Sequence, residues 1–283
     1  MLGKGVPDAS ADEQVDEFGR VQKGPYTLRN GATYTGQWLD GMRDGMGVQL
    51  WPDGSRYEGQ WRNDKANGQG KLVHADGDIY EGQWVNDKAE GMGTYSHANG
   101  AYYEGQWLDD KQHGHGIESW PDGARYEGRY EDGKKQGQGR LTFADGSYYE
   151  GAFEHNEISG FGHYYWPDGK QYSGYWRKNK MDGEGELKWK DGKMYQGQFV
   201  NDKREGHGTF VWADGRKYIG EWKAGKQHGV GTYISKDGVA KEGYWKNGRK
   251  IKWVGEGEDA GDVGDDADQP KEDGKDELKD DQY

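Results

Sequence analysis

An all-β architecture is expected for this chain: an elongated, twisted, single-sheet solenoid of antiparallel β-hairpins with disordered termini. Tyrosine stands at 34, 57, 80, 103, 126, 149, 172, 195 and 218, and a step of 23 residues kept that strictly marks a repeat array. Within each step, stretches such as Tyr57-Glu58-Gly59-Gln60-Trp61 alternate apolar or small residues with polar ones, the period-2 pattern of a strand with one buried face. The apolar material is aromatic: 13 Trp and 20 Tyr are set among 51 Gly, whereas Leu, Ile, Val and Phe together number 33 of 283 residues. So little aliphatic mass with a net charge of -13 would by itself argue for disorder, and order has to come from position instead.

Along the chain, residues 1–23 are polar and are expected to be disordered, with no apolar leader segment between Met1 and Ser10. Residues 24–254 form the expected array of nine full units and partial capping units. Gly24 to Thr33, with Pro25, Tyr26 and the Asn30-Gly31 turn, fits the second half of a unit serving as the amino-terminal cap. Each full unit then runs through the same stations. Glycine follows the tyrosine by two, and an aromatic follows by four, at Trp38, Trp61, Trp84, Trp107, Tyr130, Phe153, Trp176, Phe199, Trp222 and Trp245. A glycine pair such as Gly45 and Gly47 comes next, and the unit closes on Asp-Gly or Asn-Gly.

The unit reads as a strand, a six-residue loop such as Arg62 to Asn67, a second strand, and an Asp-Gly turn. Tyr57, Trp61, Tyr80, Trp84, Tyr103, Trp107, Tyr172, Trp176, Tyr218 and Trp222 are the expected structural spine, their rings lying over bare glycine backbone. Gln106, on the opposite face, is expected to be nearly neutral to truncation, whereas Trp107→Ala should cost roughly 3 to 5 kcal/mol. A further row 17 residues after each tyrosine contains Trp51, His74, His97 and Trp120, and packing rather than metal or acid–base work is expected of its histidines.

Tyr-Glu-Gly-Gln-Trp, six residues, Gly-x-Gly and then Asp-Gly resembles the MORN repeat, the membrane occupation and recognition nexus, from about residue 34 to 253. The resemblance implies a twisted, elongated run of antiparallel hairpins. It also implies settings: junctional membranes, division and cortical scaffolds of protists, and radial spoke heads of cilia, the last a loose similarity based on a nearly all-repeat chain with an acidic end.

At the far end, Lys241 replaces the tyrosine, and Lys252 and Val254 replace the glycine pair, as in a cap. Residues 255–283 carry 13 Asp or Glu against 3 Lys and are expected to form a disordered acidic tail. The array is electrically uneven: residues 26–171 hold 14 basic and 23 acidic groups, residues 172–254 hold 18 and 10. The basic half therefore suits something acidic, and its candidate contacts are Lys178, Lys180, Lys203, Arg204, Arg216, Lys217, Lys223, Lys226, Lys246, Arg249 and Lys250. An antiparallel homodimer would pair the opposed halves.

No catalytic, cofactor or metal residue is expected. The phosphate-loop, zinc and kinase signatures are missing, and Glu58, Glu81, Glu104, Glu127 and Glu150 share surroundings too alike to divide acid from base. Cysteine is absent, which fits a reducing, cytoplasmic compartment. Nucleic acid is disfavoured by the acidity. The expected function is a non-enzymatic scaffold that organises protein partners at a cytoskeletal assembly (ciliary, axonemal or cortical) or a membrane-associated one. The alternatives are an adaptor for phosphoinositides or other anionic phospholipid, or a regulatory subunit of a separate kinase.

Overall fold

Two compact units make up the chain: residues up to Pro121 together with Tyr130–Gly133, and Asp122–Arg129 together with the chain from Lys134 onward. The structure is a computed structural model that describes residues 15–255. The acidic tail expected over 255–283 lies outside the described residues except for Gly255, as do residues 1–14 of the polar segment. Secondary structure begins ahead of the expected boundary at residue 24. Val15 bridges Val21, and the Asp16 carboxylate accepts the Phe18 and Arg20 N–H groups, both at 2.9 Å.

The first unit holds β1 (Val21–Thr27), β2 (Thr33–Leu39), β3 (Met42–Leu50), β4 (Arg56–Arg62), β5 (Lys65–Val73), β6 (Ile79–Val85), β7 (Lys88–Ser96), β8 (Tyr102–Leu108) and β9 (Lys111–Ser119). Strand β10 (Arg125–Glu131) contributes residues to both units. The second unit continues with β11 (Lys134–Thr142), β12 (Tyr148–Glu154), β13 (Glu157–Tyr165), β14 (Gln171–Arg177), β15 (Lys180–Lys188) and β16 (Met194–Val200). It ends with β17 (Lys203–Val211), β18 (Lys217–Lys223), β19 (Lys226–Ile234), β20 (Ala240–Lys246) and β21 (Arg249–Trp253). Within each unit, chain neighbours pair antiparallel, as in β4–β5 and β15–β16. The described chain is therefore all strand and turn, hairpin after hairpin, as the repeat predicts.

The expected six-residue loop is a correction. Strand β4 runs to Arg62 and β5 restarts at Lys65, leaving only Asn63 and Asp64 between them. Both are left-handed, with φ of 47° and 65°, the conformation a two-residue type I′ hairpin demands and Asn and Asp tolerate. The polar run beyond them belongs to the strand because it is bulged. Gly59 faces Gly70 and Trp61 faces Ala66, so Asn67, Gly68 and Gln69 stand opposite Gln60 alone, with Gly68 at φ 90°. The other connection is a three-residue loop: Gly54 N–H donates to Trp51 O at 3.0 Å, and Trp51 N–H to Ser55 O at 2.9 Å.

In each unit the core is a row of rings on one face of the strands. Tyr34, Tyr57, Tyr103, Tyr126, Tyr149, Tyr172, Tyr195 and Tyr218 are each almost fully buried. Tyr57 meets Trp61 of its own strand and Trp84 of the next repeat edge-on, with centroids 5.0 and 5.3 Å apart; Tyr80 repeats this with Trp84 and Trp107. Such edge-to-face pairs contribute roughly 0.5–1.5 kcal/mol each beyond burial. The polar ends are also satisfied. Tyr80 Oη donates to Gln83 O at 2.9 Å, beside the register shift, and the Trp107 indole N–H donates to Gly93 O at 3.1 Å. The rings sit where glycine leaves room: a Cβ on Gly93 would lie 2.5 Å from the Tyr80 hydroxyl, and one on Gly82 would lie 2.5 Å from the Gly93 Cα.

Candidate binding surfaces

Every second residue of a strand points away from the ring row, and these side chains make the outer face. The spine expected from the sequence, from Tyr57 and Trp61 through Tyr218 and Trp222, is buried on the inner face. It is consumed by packing and offers no binding groups.

On the outer face the same backbone register carries different side chains from repeat to repeat. The central residue of each Gly-x-Gly faces a residue of the next strand: Met46 opposite Gln60 and Met92 opposite Gln106 in the first unit, Phe161 opposite Tyr175 and Val230 opposite Tyr244 in the second. Glutamine at this rung is more than a solvated side chain. Gln60 Oε1 accepts the Gln69 N–H at 2.8 Å, and Gln106 Oε1 accepts the His115 N–H at 2.8 Å, each donor lying in the bulge, away from a regular ladder partner. The expectation that Gln106 is inert is thereby corrected.

Sequence reasoning missed an aromatic cluster on this face. Phe161 and Tyr175 meet edge-on at 5.5 Å and are 48% and 52% exposed, too open to be core. His163 stands 5.3 Å from Phe161, and Tyr148 stacks on Tyr165 at 4.6 Å with the Arg140 guanidinium 4.2 Å above its ring. The available signal was register: these aromatics occupy stations other than those of the inward tyrosine and tryptophan.

The repeated glutamates do not form acid pairs. Glu58 pairs with Arg56 at 2.6 Å, Glu81 with Lys71 at 3.2 Å, and Glu150 with Arg140 at 2.9 Å, all well exposed. Of the two row histidines, His74 lies against Tyr95 at 6.3 Å, while His97 is exposed and its Nδ1 sits 3.0 Å from Asp78. Both histidines pack on Tyr95, and His97 is the closer, edge-on with centroids 4.7 Å apart. Hydrogen bonds from the Ala98 N–H and the Tyr95 hydroxyl hold the Asp78 carboxyl below the usual range. Among the described residues no group of three or more His, Asp or Glu gathers to hold a metal ion.

The eleven basic candidates do not converge. Lys178, Lys180, Lys203, Lys223, Lys226, Lys246 and Arg249 lie at the edge carrying the two-residue turns, and all are exposed. Arg216 and Lys217 lie at the opposite edge, where Asp214 accepts Arg216 Nε at 2.8 Å and is held below its ordinary pKa by that contact. Arg204 turns onto the rings instead, its guanidinium 4.8 Å from the Trp222 centroid, and the Lys250 amine lies 4.6 Å from the Trp253 ring.

The turn edge differs between the units. In the first, Lys88 pairs with Asp109 at 2.7 Å and Lys111 with Asp132 at 3.3 Å, each partner 21 residues ahead in the next turn; the Lys88 contact keeps the Asp109 carboxyl low. In the second, the same step leads from Lys180 to Asn201 and from Lys203 to Ala224. The second turn residue braces the repeats: Ala66 N–H donates to Asp87 Oδ1 at 2.7 Å, Ala89 N–H to Asp110 Oδ1 at 2.7 Å, and Ile158 N–H to Asn179 Oδ1 at 2.7 Å.

A family model described as the MORN repeat matches residues 34–56, 57–79, 80–102, 103–125, 126–148, 149–171, 172–194, 195–215 and 218–239. A search of curated proteins gave no significant match. Among solved structures, the TCP10 domain of Danio rerio CPAP, in complex with a peptide of Danio rerio STIL, is similar at 11% identity and a TM-score of 0.44. That likeness covers 81% of this chain and 97% of the other. The SAS-4 (dCPAP) TCP domain of Drosophila melanogaster, in complex with a proline-rich motif of Ana2 (dSTIL), is 16% identical with a TM-score of 0.35, covering 70% of this chain and 99% of that one.

Proposed function

The chain belongs to the MORN-repeat family, and from that membership we propose that it is a non-enzymatic scaffold whose outer sheet face organises protein partners. One observation carries the reading: an inner face spent on uniform ring packing is backed by an outer face on which the central residue of Gly-x-Gly differs from each repeat to the next, with an exposed aromatic cluster at Phe161 and Tyr175. Aromatic side chains held on rigid strands make effective anchors, because they offer large contact area for little lost conformational entropy. Membership supports a cytoskeletal or membrane-associated setting in the cytoplasm, with ciliary, axonemal and cortical assemblies as the specific candidates. The opposed charges of residues 26–171 and 172–254 support an antiparallel homodimer, which light scattering at low salt and high concentration would detect.

The test is affinity purification with the wild-type chain and with Phe161→Ala/Tyr175→Ala. Both residues lie on the outer face, so near-ultraviolet circular dichroism should show an intact array. Partner proteins should fall at least several-fold in the variant; equal recovery, or turnover of a substrate by the pure chain, would refute the proposal.

A second reading rests on the turn edge of the second unit, where exposed lysines recur at the hairpin step. Basic residues near an anionic membrane contribute about 1 kcal/mol each, so several acting together would hold phosphoinositides or other anionic phospholipid. Flotation with phosphatidylserine vesicles decides this: no binding at low salt removes it.

A further inference from the structure

The turn edge of the second unit concentrates positive charge in a way that hairpin pairing alone would disfavour. Cross-strand partners at the turns are like-charged: Arg177 faces Lys180, Lys223 faces Lys226, and Lys246 faces Arg249. Like charges directly opposite on neighbouring strands repel. The nearest acids are engaged locally: Asp182 pairs with Arg177 at 2.8 Å, Asp202 Oδ1 accepts the Met181 N–H at 2.7 Å, and Glu205 Oε2 accepts the Ala224 N–H at 2.8 Å. The edge therefore presents a row of outward ammonium and guanidinium groups, from Lys178 and Lys180 through Lys203, Lys223 and Lys246 to Arg249.

We infer that residues 256–283 of the same chain dock along this edge and mask it. Three features select this occupant. The segment carries 13 carboxylates against 3 lysines, the opposite charge to the row and more than enough to balance it. It leaves the fold just after β21, the last strand to contribute to the row, and its exit at Trp253 stands four residues along that strand from Arg249, about 14 Å from the turn edge. Its reach is ample: at about 3.3 Å per residue it extends up to ~90 Å, while the six strand spacings from β21 back to β15 cover about 29 Å. Covalent attachment raises the local concentration of such an anion to about the millimolar range, above that of most external competitors. The contact would thus be a mask that an external anion has to displace, governing the edge without contributing to the ring core.

The test is carbodiimide coupling of the full chain, which joins a carboxylate to a lysine amine in contact with it, followed by peptide mass spectrometry. At 20 mM salt the monomeric product should join acidic peptides of 256–283 to Lys178, Lys180, Lys203, Lys223 or Lys246. That yield should exceed the yield at Lys65, Lys88 and Lys111 of the first unit at least several-fold, and 0.5 M NaCl should reduce it at least tenfold. Full-length Lys203→Gln/Lys223→Gln/Lys246→Gln should lose most of the coupling that remains at Lys178 and Lys180. Equal yield on the two units, coupling only in a product of dimer mass, or no salt-sensitive coupling would each overturn the inference. The scaffold proposal rests on the outer face and survives any of these results.

Discussion

Gly93→Ala tests the physical basis of the fold most directly. A Cβ at this position would stand 2.5 Å from the Tyr80 hydroxyl, 2.7 Å from Cζ and 2.8 Å from Cε2, where ordinary carbon contacts lie at about 3.5–4.0 Å. The ring must withdraw by roughly 1 Å. It is held by edge contacts to Trp84 and Trp107 at 5.0 and 5.1 Å and by its hydrogen bond to Gln83 O, so withdrawal weakens all three. Overpacking of this kind costs about 1–3 kcal/mol, and weakening an aromatic pair and a hydrogen bond brings the expected loss to about 3–4 kcal/mol. Denaturation followed by tryptophan fluorescence measures the total. Hydrogen exchange at the β6–β8 amides locates it, because a lesion in a repeat array can open one region without unfolding the rest. The partner in a double-mutant cycle is Tyr80→Ala, which removes the ring the new methyl strikes. The cost of Gly93→Ala should shrink by about 1–3 kcal/mol in that background; additivity within about 0.5 kcal/mol would refute ring-over-glycine packing.

Three other outcomes are expected. Asp87→Ala should cost about 1–2 kcal/mol and speed exchange of the Ala66 amide, whereas Asp87→Asn should stay within about 0.5 kcal/mol, because Asn179 already makes the same brace at its own turn. Gln106→Ala should cost about 1 kcal/mol by denaturation, since the His115 N–H in the bulge loses its acceptor; no change would return this residue to the solvated face. Burial raises the hydroxyl pKa of Tyr57, Tyr80, Tyr103, Tyr149, Tyr172, Tyr195 and Tyr218 above the ordinary value, and moves the half-exposed Tyr95 up to about 12. A raised folded pKa means that this stabilising contribution is complete below pH 10 and is lost as pH climbs above it. The urea midpoint should hold to about pH 9.5 and then fall steeply, with phenolate absorbance rising cooperatively with unfolding; independent titration of these tyrosines in a still-folded chain would contradict their burial.

Much of the fold was legible because it is written in period. Tyr57, Gly59 and Trp61 are two residues apart, so any strand places them on one face, and the 23-residue step stacks that face on its copies. The hairpin loop was not legible: Asn63 and Asp64 look like the middle of a polar loop until their left-handed backbone angles show that two residues suffice. The bulge at Gly68 was hidden for the same reason, and with it the work of the glutamine opposite, an acceptor for an N–H taken out of the regular ladder.

The candidate surfaces divide in the same way. Composition determined that the second half of the array is basic and that a strongly acidic segment follows it, since charge needs no coordinates to be counted. It also determined the inward spine, since burial of tyrosine and tryptophan follows from alternation. Only the tertiary structure decided which charges face outward together, because residues 21 or 23 apart become neighbours only through hairpin register. Arg204 was thereby turned over the Trp222 ring while Lys203, its neighbour in the chain, stayed at the open edge. The same register brought Phe161 and Tyr175 into one exposed cluster, a contact between strands that no local pattern encodes.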